Sequence, residues 1–145
     1  MAEGLFRDLV KKNSSEFVIQ SAGVGAQNDL PPSENSVRAM NAIEIDITGQ
    51  LSQMVTVELV KEANMIIGMT QGHSDMINLM FPEVSEKTFI LREFDQSIPV
   101  SERDISDPIG GSYEVYSDCS CLLYTSPSPR DQRGSRMAGW GWKKK

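Results

Sequence analysis

Three short apolar runs separated by helix-patterned segments predict an α/β fold built on a parallel sheet with helices on both faces. The runs are "FVIQSAG" (17–23), "NMIIGMT" (64–70) and "KTFILREF" (87–94). Each is continuous rather than alternating, as expected of a strand buried on both sides. A chain of 145 residues with 39% hydrophobic content is long enough for one domain with a real core and too short for two. Three strands make a thin sheet for this class, so the pattern reads as though one strand were missing.

The first element is a helix. Ala2, Leu5, Phe6, Leu9 and Val10 fall at i, i+3, i+4, i+7 and i+8, one apolar face. No Ser, Thr, Asp or Asn precedes it as an N-cap, so it reads as a helix cut from something longer. Asn13-Ser14-Ser15 ends it, the strand at 17–23 follows, and "GAQNDLPP" is a loop. Ser33 is placed to cap a helix carrying Val37, Ala39, Met40 and Ile43. "IDITGQL" is irregular. Thr56 caps a short helix with Leu59, Val60 and Ala63, which passes into the strand at 64–70. Residues 71–80 form a helix with Met76, Ile77, Leu79 and Met80 inward, closed by Phe81-Pro82. After the strand at 87–94, a polar loop leads to Asp107-Pro108, and Ser112 caps a last helix with Tyr116 inward. Crossovers should be right-handed and a site should lie at the carboxyl ends of the strands.

Charge divides the chain at residue 118. Residues 1–118 carry 19 acids against 8 Lys and Arg, a net of −11. Residues 119–145 carry Asp131 against Arg130, Arg133, Arg136, Lys143, Lys144 and Lys145, a net of +5. The acidic body argues against nucleic acid or an anionic membrane as partner. The tail has no apolar period and contains "SPSPRDQRGSRMAGWGWKKK". It reads as a non-native or disordered basic segment, so the domain is placed at 1–118 and the tail at 119–145. No run approaches the roughly 18 apolar residues of a membrane span. With no signal-peptide pattern and two cysteines in all, the expected compartment is the cytoplasm.

The chemistry-bearing stretch is "DISDPIGGSYEVY" (104–116). Proline after Asp107 holds that residue extended, and Gly110-Gly111 lets the chain turn sharply into the next helix. A carboxyl group is thereby presented on a short rigid arm, as a proton donor requires. Burial or negative neighbours would raise its pKa, and Glu102 and Asp104 are close in sequence. The plain alternative is an Asp-Pro turn. "QSAG" (20–23) ends a strand in small residues, and Ser21 is placed to hydrogen-bond a neighbouring loop. His73 reads as a solvated residue in a first helical turn. The methionines after Met1 read as mostly core-facing packing. Cys119 and Cys121 form Cys-Ser-Cys, which with one distant histidine closes no zinc site. No metal and no cofactor is expected.

In order and spacing, "MAEGLF" (1–6), "SAGV" (21–24), "MTQGH" (69–73) and "DPIGGS" (107–112) resemble the low-molecular-weight protein tyrosine phosphatase family. The resemblance is closest to the bacterial branch that includes protein arginine phosphatases, and it covers residues 1 to about 118. It implies a three-layer sandwich with a parallel sheet, here lacking the first, central strand and the phosphate loop. In that family a loop of Cys, five residues, Arg and Ser precedes the helix that begins here at residue 1 or 2. Its cysteine attacks phosphorus and forms a phosphocysteine. The helix amino end favours the bound anion and the thiolate. The resemblance makes Asp107 the general acid and then base, and Ser21 a support of the phosphate loop.

The chain departs from the family pattern in three ways. Met1 aligns just past the loop, so the chain reads as N-terminally truncated and inactive. Positions six residues after Cys119 and Cys121 are Thr125 and Pro127, not arginine. Gln50 stands where many members carry histidine. Ile109 follows Pro108 where tyrosine-specific members often place aromatics, which leaves phosphoarginine as well as phosphotyrosine open. The implied partner is a phosphorylated protein. The alternatives are an acidic binding module on the same scaffold and an arsenate reductase-like activity.

Overall fold

A computed structural model describes residues 1–13 and 16–126. They form two compact units, one from Met1–Val55 with Asp107–Thr125 and one from Thr56–Ser106.

The first unit is built on three helices. Helix α1 spans Ala2–Lys12, with Met1 at its N-cap position and no side chain capping it. It ends where Asn13 folds back, its side-chain and backbone N–H groups both donating to the Leu9 carbonyl, at 2.8 and 3.1 Å. Helix α2 spans Glu34–Asn41 and is capped by Ser33, whose hydroxyl accepts from the Ser36 N–H. The last described helix, Tyr113–Thr125, packs on both of them. Leu5, Met40, Ile45 and Ile47 form the buried cluster, with Met1, Val37 and Leu123 packed against it. Gly4 is required at this contact. A Cβ there would sit 2.6 Å from Ile47 Cγ2.

Residues 17–23 do not form the expected strand. Pairing is limited to one parallel bridge between Gly23 and Met54, with Gly23 N–H donating to Gln53 O at 2.9 Å. Upstream of it, side chains take the place of a ladder. The Arg7 guanidinium donates to Ile19 O at 3.1 and 3.2 Å, and Gln53 Nε2 donates to Ser21 O at 2.9 Å. A backbone with no neighbouring strand among the described residues meets its hydrogen-bonding needs locally.

The second unit holds the sheet. Helix α3 (Val57–Glu62) is capped by Thr56 and leads into β1 (Ile66–Gly68), and α4 (Gln71–Met80) follows. A 3₁₀ segment over Pro82–Lys87 connects to β2 (Thr88–Ile90). The strands are parallel, pairing Ile66 with Thr88, Ile67 with Phe89 and Gly68 with Ile90. The strand expected at 87–94 is shorter than that, because the chain tightens into a 3₁₀ turn over Leu91–Phe94. Val60, Ile77, Phe81, Val84, Ile90, Leu91, Phe94 and Ile105 are buried.

Helix α4 corrects a second expectation. Ser74 and Ile77 are its buried residues, whereas Met76, Leu79 and Met80 are exposed, Leu79 at 78%. The helix packs on β1, β2 and the 3₁₀ segment. Met54, Met76 and Met80 are all exposed and Met40 is fully buried, so the methionines are not mostly core residues. Numbered in chain order, the last helix is α5 (Tyr113–Thr125). The boundary expected at residue 118 falls within α5, whose Cys119 and Ser120 are buried. Residues 127–145 lie outside the described residues, as do Ser14 and Ser15.

Candidate active site

The first turn of α1 carries an unusual buried charge. Glu3 is 9% exposed and pairs with Arg7 one turn later at 2.6 Å. It also accepts a hydrogen bond from the Ser21 hydroxyl. Arg7 in turn holds the Ile19 carbonyl, so one carboxylate and one guanidinium fasten residues 19–21 to the head of the helix. A negative side chain in a first helical turn is favoured by the N–H groups left unpaired there. Ser21 was singled out in the sequence, and it lies against the start of α1. Glu3 and Arg7 were not singled out, although their i, i+4 spacing is visible.

Asp107 stands on the loop that enters α5. Its Oδ1 accepts from the Ile109 N–H at 3.0 Å, a local turn that fixes the carboxylate relative to its own backbone. Gly111 N–H donates to Pro108 O at 2.8 Å, closing a tight turn in which Gly110 adopts φ of +75°. Glycine is needed at 110 for that dihedral. The Asp107 side chain is exposed.

The helix that follows the loop packs on α1 and carries a buried thiol. Cys119 lies a turn and a half into α5 and is buried, which pushes its thiol above the ordinary range. The Met1 ammonium opposes that rise and the Asp107 carboxylate adds to it. Burial lowers the Met1 amino group, with Glu3 and then Cys119 acting against that effect. Asp107, the head of α1 and Ser21 all belong to the first unit, in which Ser21 is bonded to the first turn of α1.

Asp104, a sequence neighbour expected to act on Asp107, is engaged elsewhere. Its Oδ1 accepts the Gln71 N–H at 2.7 Å, at the amino end of α4. His73 is exposed in the first turn of α4, as its position predicted. Among the described residues, no three His, Cys, Asp or Glu side chains are placed to hold a metal ion. No described helix is long and apolar enough to cross a membrane.

Known proteins resemble this chain in sequence and in fold. A protein-arginine-phosphatase of Bacillus subtilis is 30% identical over 116 residues, covering 80% of this chain and 75% of that protein. The low molecular weight protein-tyrosine-phosphatase PtpA of Staphylococcus haemolyticus is 32% identical over 131 residues, covering 85% and 82%. The solved YwlE arginine phosphatase from Geobacillus stearothermophilus superposes with a TM-score of 0.76 at 31% identity, covering 86% of this chain and 76% of that one. The likeness confirms the α/β sandwich that the alternation of apolar runs and helices predicted. The model of the family described as low molecular weight phosphotyrosine protein phosphatase matches residues 1–126, a span running from the buried head of α1 through the Asp107 loop to the end of α5. By that match and those relatives, the chain belongs to the low molecular weight phosphotyrosine protein phosphatase family.

Proposed function

We propose that this chain is the scaffold and acid–base half of a phosphatase acting on phosphorylated protein side chains, with Asp107 as the proton donor. One observation carries the reading. The Ser21 hydroxyl bonds Glu3 in the first turn of α1, whose amino end no side chain caps, and Asp107 is tethered through Oδ1 and exposed on the loop that enters α5, a helix that packs on α1. An acid in that place serves a phosphate held at the helix amino end, where unpaired N–H groups favour anions. Ser21, fastened to Glu3, supports the loop that surrounds such a phosphate.

In the reaction so read, a cysteine thiolate of an upstream Cys-x5-Arg-Ser loop attacks phosphorus, and the bond from phosphorus to the side-chain oxygen or nitrogen breaks. Asp107 gives its proton to that leaving atom. Its carboxylate then takes a proton from water as the water attacks the phosphocysteine, releasing phosphate and the thiolate. Residues 1–145 hold no Cys-x5-Arg sequence. General acid catalysis contributes about 100- to 10,000-fold, far short of what phosphate monoester hydrolysis needs. These residues by themselves are therefore inactive. The setting is the cytoplasm, where a thiolate nucleophile and free cysteines such as Cys119 and Cys121 remain reduced.

For the substrate we favour phosphoarginine. Ile109 beside the acid is 78% exposed and aliphatic, suited to a flexible methylene stem more than to the flat face of a ring. The arginine phosphatase relatives support the same choice. Phosphotyrosine is the second reading, supported by the tyrosine phosphatase relatives. The test joins an upstream strand and a Cys-x5-Arg-Ser loop to residue 1 and compares it with residues 1–145. The extended protein should release phosphate from p-nitrophenyl phosphate and from phosphoarginine peptides, and residues 1–145 should release none. Asp107→Asn in the extended protein should lower turnover by about 100-fold or more. Turnover by residues 1–145, or an unaffected Asp107→Asn variant, contradicts the reading.

A further inference from the structure

Helix α2 reaches the acid loop with two side chains that neither the core nor the scheme above uses. Asn35 lies in the first turn of α2 and is half-buried, and its Nδ2 donates to the Gly111 carbonyl at 3.3 Å across 76 positions of sequence. Arg38, one turn further along the same edge, lays its guanidinium over the Tyr113 ring, 4.7 Å from the centroid. The two contacts grip the loop at its exit, Gly111 and Tyr113, while the turn from Pro108 O to Gly111 N–H and the bond from Ile109 N–H to Asp107 hold its entry. The loop is thus closed internally and attached externally. The Ser33 cap fixes the first turn of α2, and burial of Ala39 and Met40 fixes its rotation. Arg38 also acts on Glu114, whose carboxyl is held below its usual range first by a hydrogen bond with Ser112.

We propose that Asn35 and Arg38 are positioning residues for Asp107. They set where the acid stands by clamping the far end of its loop to α2. The inference rests on the reading of Asp107 as proton donor for its catalytic consequence, but the clamp itself is testable without it. A loop that contains two glycines has many conformations to lose, and an external attachment removes them. Displacing a reacting group by about 1 Å costs up to roughly 100-fold in rate.

The experiment has two arms. In residues 1–145, Asn35→Asp exchanges the donor for an acceptor of the same shape. Amide hydrogen exchange at Ile109 and Gly111 should then accelerate by about 3- to 10-fold, with exchange in the interior of α1 unchanged. Arg38→Lys keeps the charge without the flat guanidinium and should give a smaller acceleration. Asn35→Ala serves if Asn35→Asp unfolds. Unaltered exchange at Ile109 and Gly111 overturns the clamp, whatever is found about catalysis. In the extended protein, Asn35→Asp should lower kcat for phenyl phosphate, a poor leaving group, by roughly 10-fold or more. The loss for p-nitrophenyl phosphate, which needs little protonation, should be smaller, and KM should hold. Equal losses on the two substrates overturn the positioning role. If Asp107→Asn has no effect while the exchange arm succeeds, the failure belongs to the acid assignment and the clamp stands.

Discussion

Asp104 and Asp107 are three residues apart, and the chain uses them in opposite ways. Asp104 Oδ1 accepts from the Gln71 N–H, and together with Thr70, which accepts from His73 N–H at 3.1 Å, it closes the amino end of α4. That carboxylate is part of a helix cap. Asp107 accepts from the N–H two residues ahead, within a turn restrained by Pro108, and stays exposed. The first aspartate completes secondary structure in the sheet-bearing unit. The second is displayed by a loop of the helical unit. Proximity in sequence is therefore no guide to shared duty. The local bond of Asp107 is shared by Asp46 with Thr48 and by Asp95 with Ser97, so it is the place of Asp107 on the loop entering α5, and not the bond, on which the proposed role rests.

The sharpest way to break this contrast is to exchange the two losses. In the protein extended with the upstream loop, Asp107→Asn should lower phosphate release by about 100-fold or more, while Asp104→Asn should leave it within about threefold. A comparable fall for both removes the distinction. The next effect concerns the core of the first unit. Gly4→Ala places a methyl group 2.6 Å from Ile47 Cγ2, in a side chain 1% exposed, and should cost about 1–3 kcal/mol in urea unfolding. Gly49→Ala, which meets nothing within 4 Å, should cost less than about 0.5 kcal/mol. Reversing the first comparison, Asp104→Ala should destabilise by about 1 kcal/mol through loss of the cap, and Asp107→Ala by clearly less.

The smallest effect is a slope. The Cys119 thiol is raised in the folded protein, chiefly by burial, so the folded state keeps its proton where the unfolded chain releases it. Stability is then fully present below the ordinary thiol pKa of about 8.5 and declines as pH rises through the folded value. Cys119→Ala should flatten the fall in urea midpoint between about pH 8 and pH 10. Comparing slopes rather than levels separates this from the cavity the substitution leaves.

What was legible in the sequence was local. Ser33 and Thr56 cap the helices predicted for them, and residues 71–80 are a helix with the expected bounds. The Asp-Pro-x-Gly-Gly loop announces its own turn. The errors arise where burial depends on what lies opposite. Residues 17–23 have a strand's composition but pair through one bridge, and Leu79 has a core residue's chemistry on an exposed face. The network of Glu3, Arg7, Ile19 and Ser21 spans 18 positions, and Asn35 finds Gly111 across 76. No local pattern encodes such pairs, because each partner is supplied by the fold.

The adjacent glycines of the acid loop carry a consequence for how this loop can vary over evolutionary time. Gly110 is constrained by its dihedral, with open space where a side chain would go, whereas Gly111 has an ordinary dihedral but a Cβ there would lie 2.9 Å from the Pro108 carbonyl. A mutational scan would register the same intolerance at both sites for unrelated reasons. Chemical synthesis separates them: a D-amino acid, whose resting φ is positive, suits the backbone at 110 and opposes it at 111. Drift at one position cannot be compensated at the other, so each glycine is held by its own constraint.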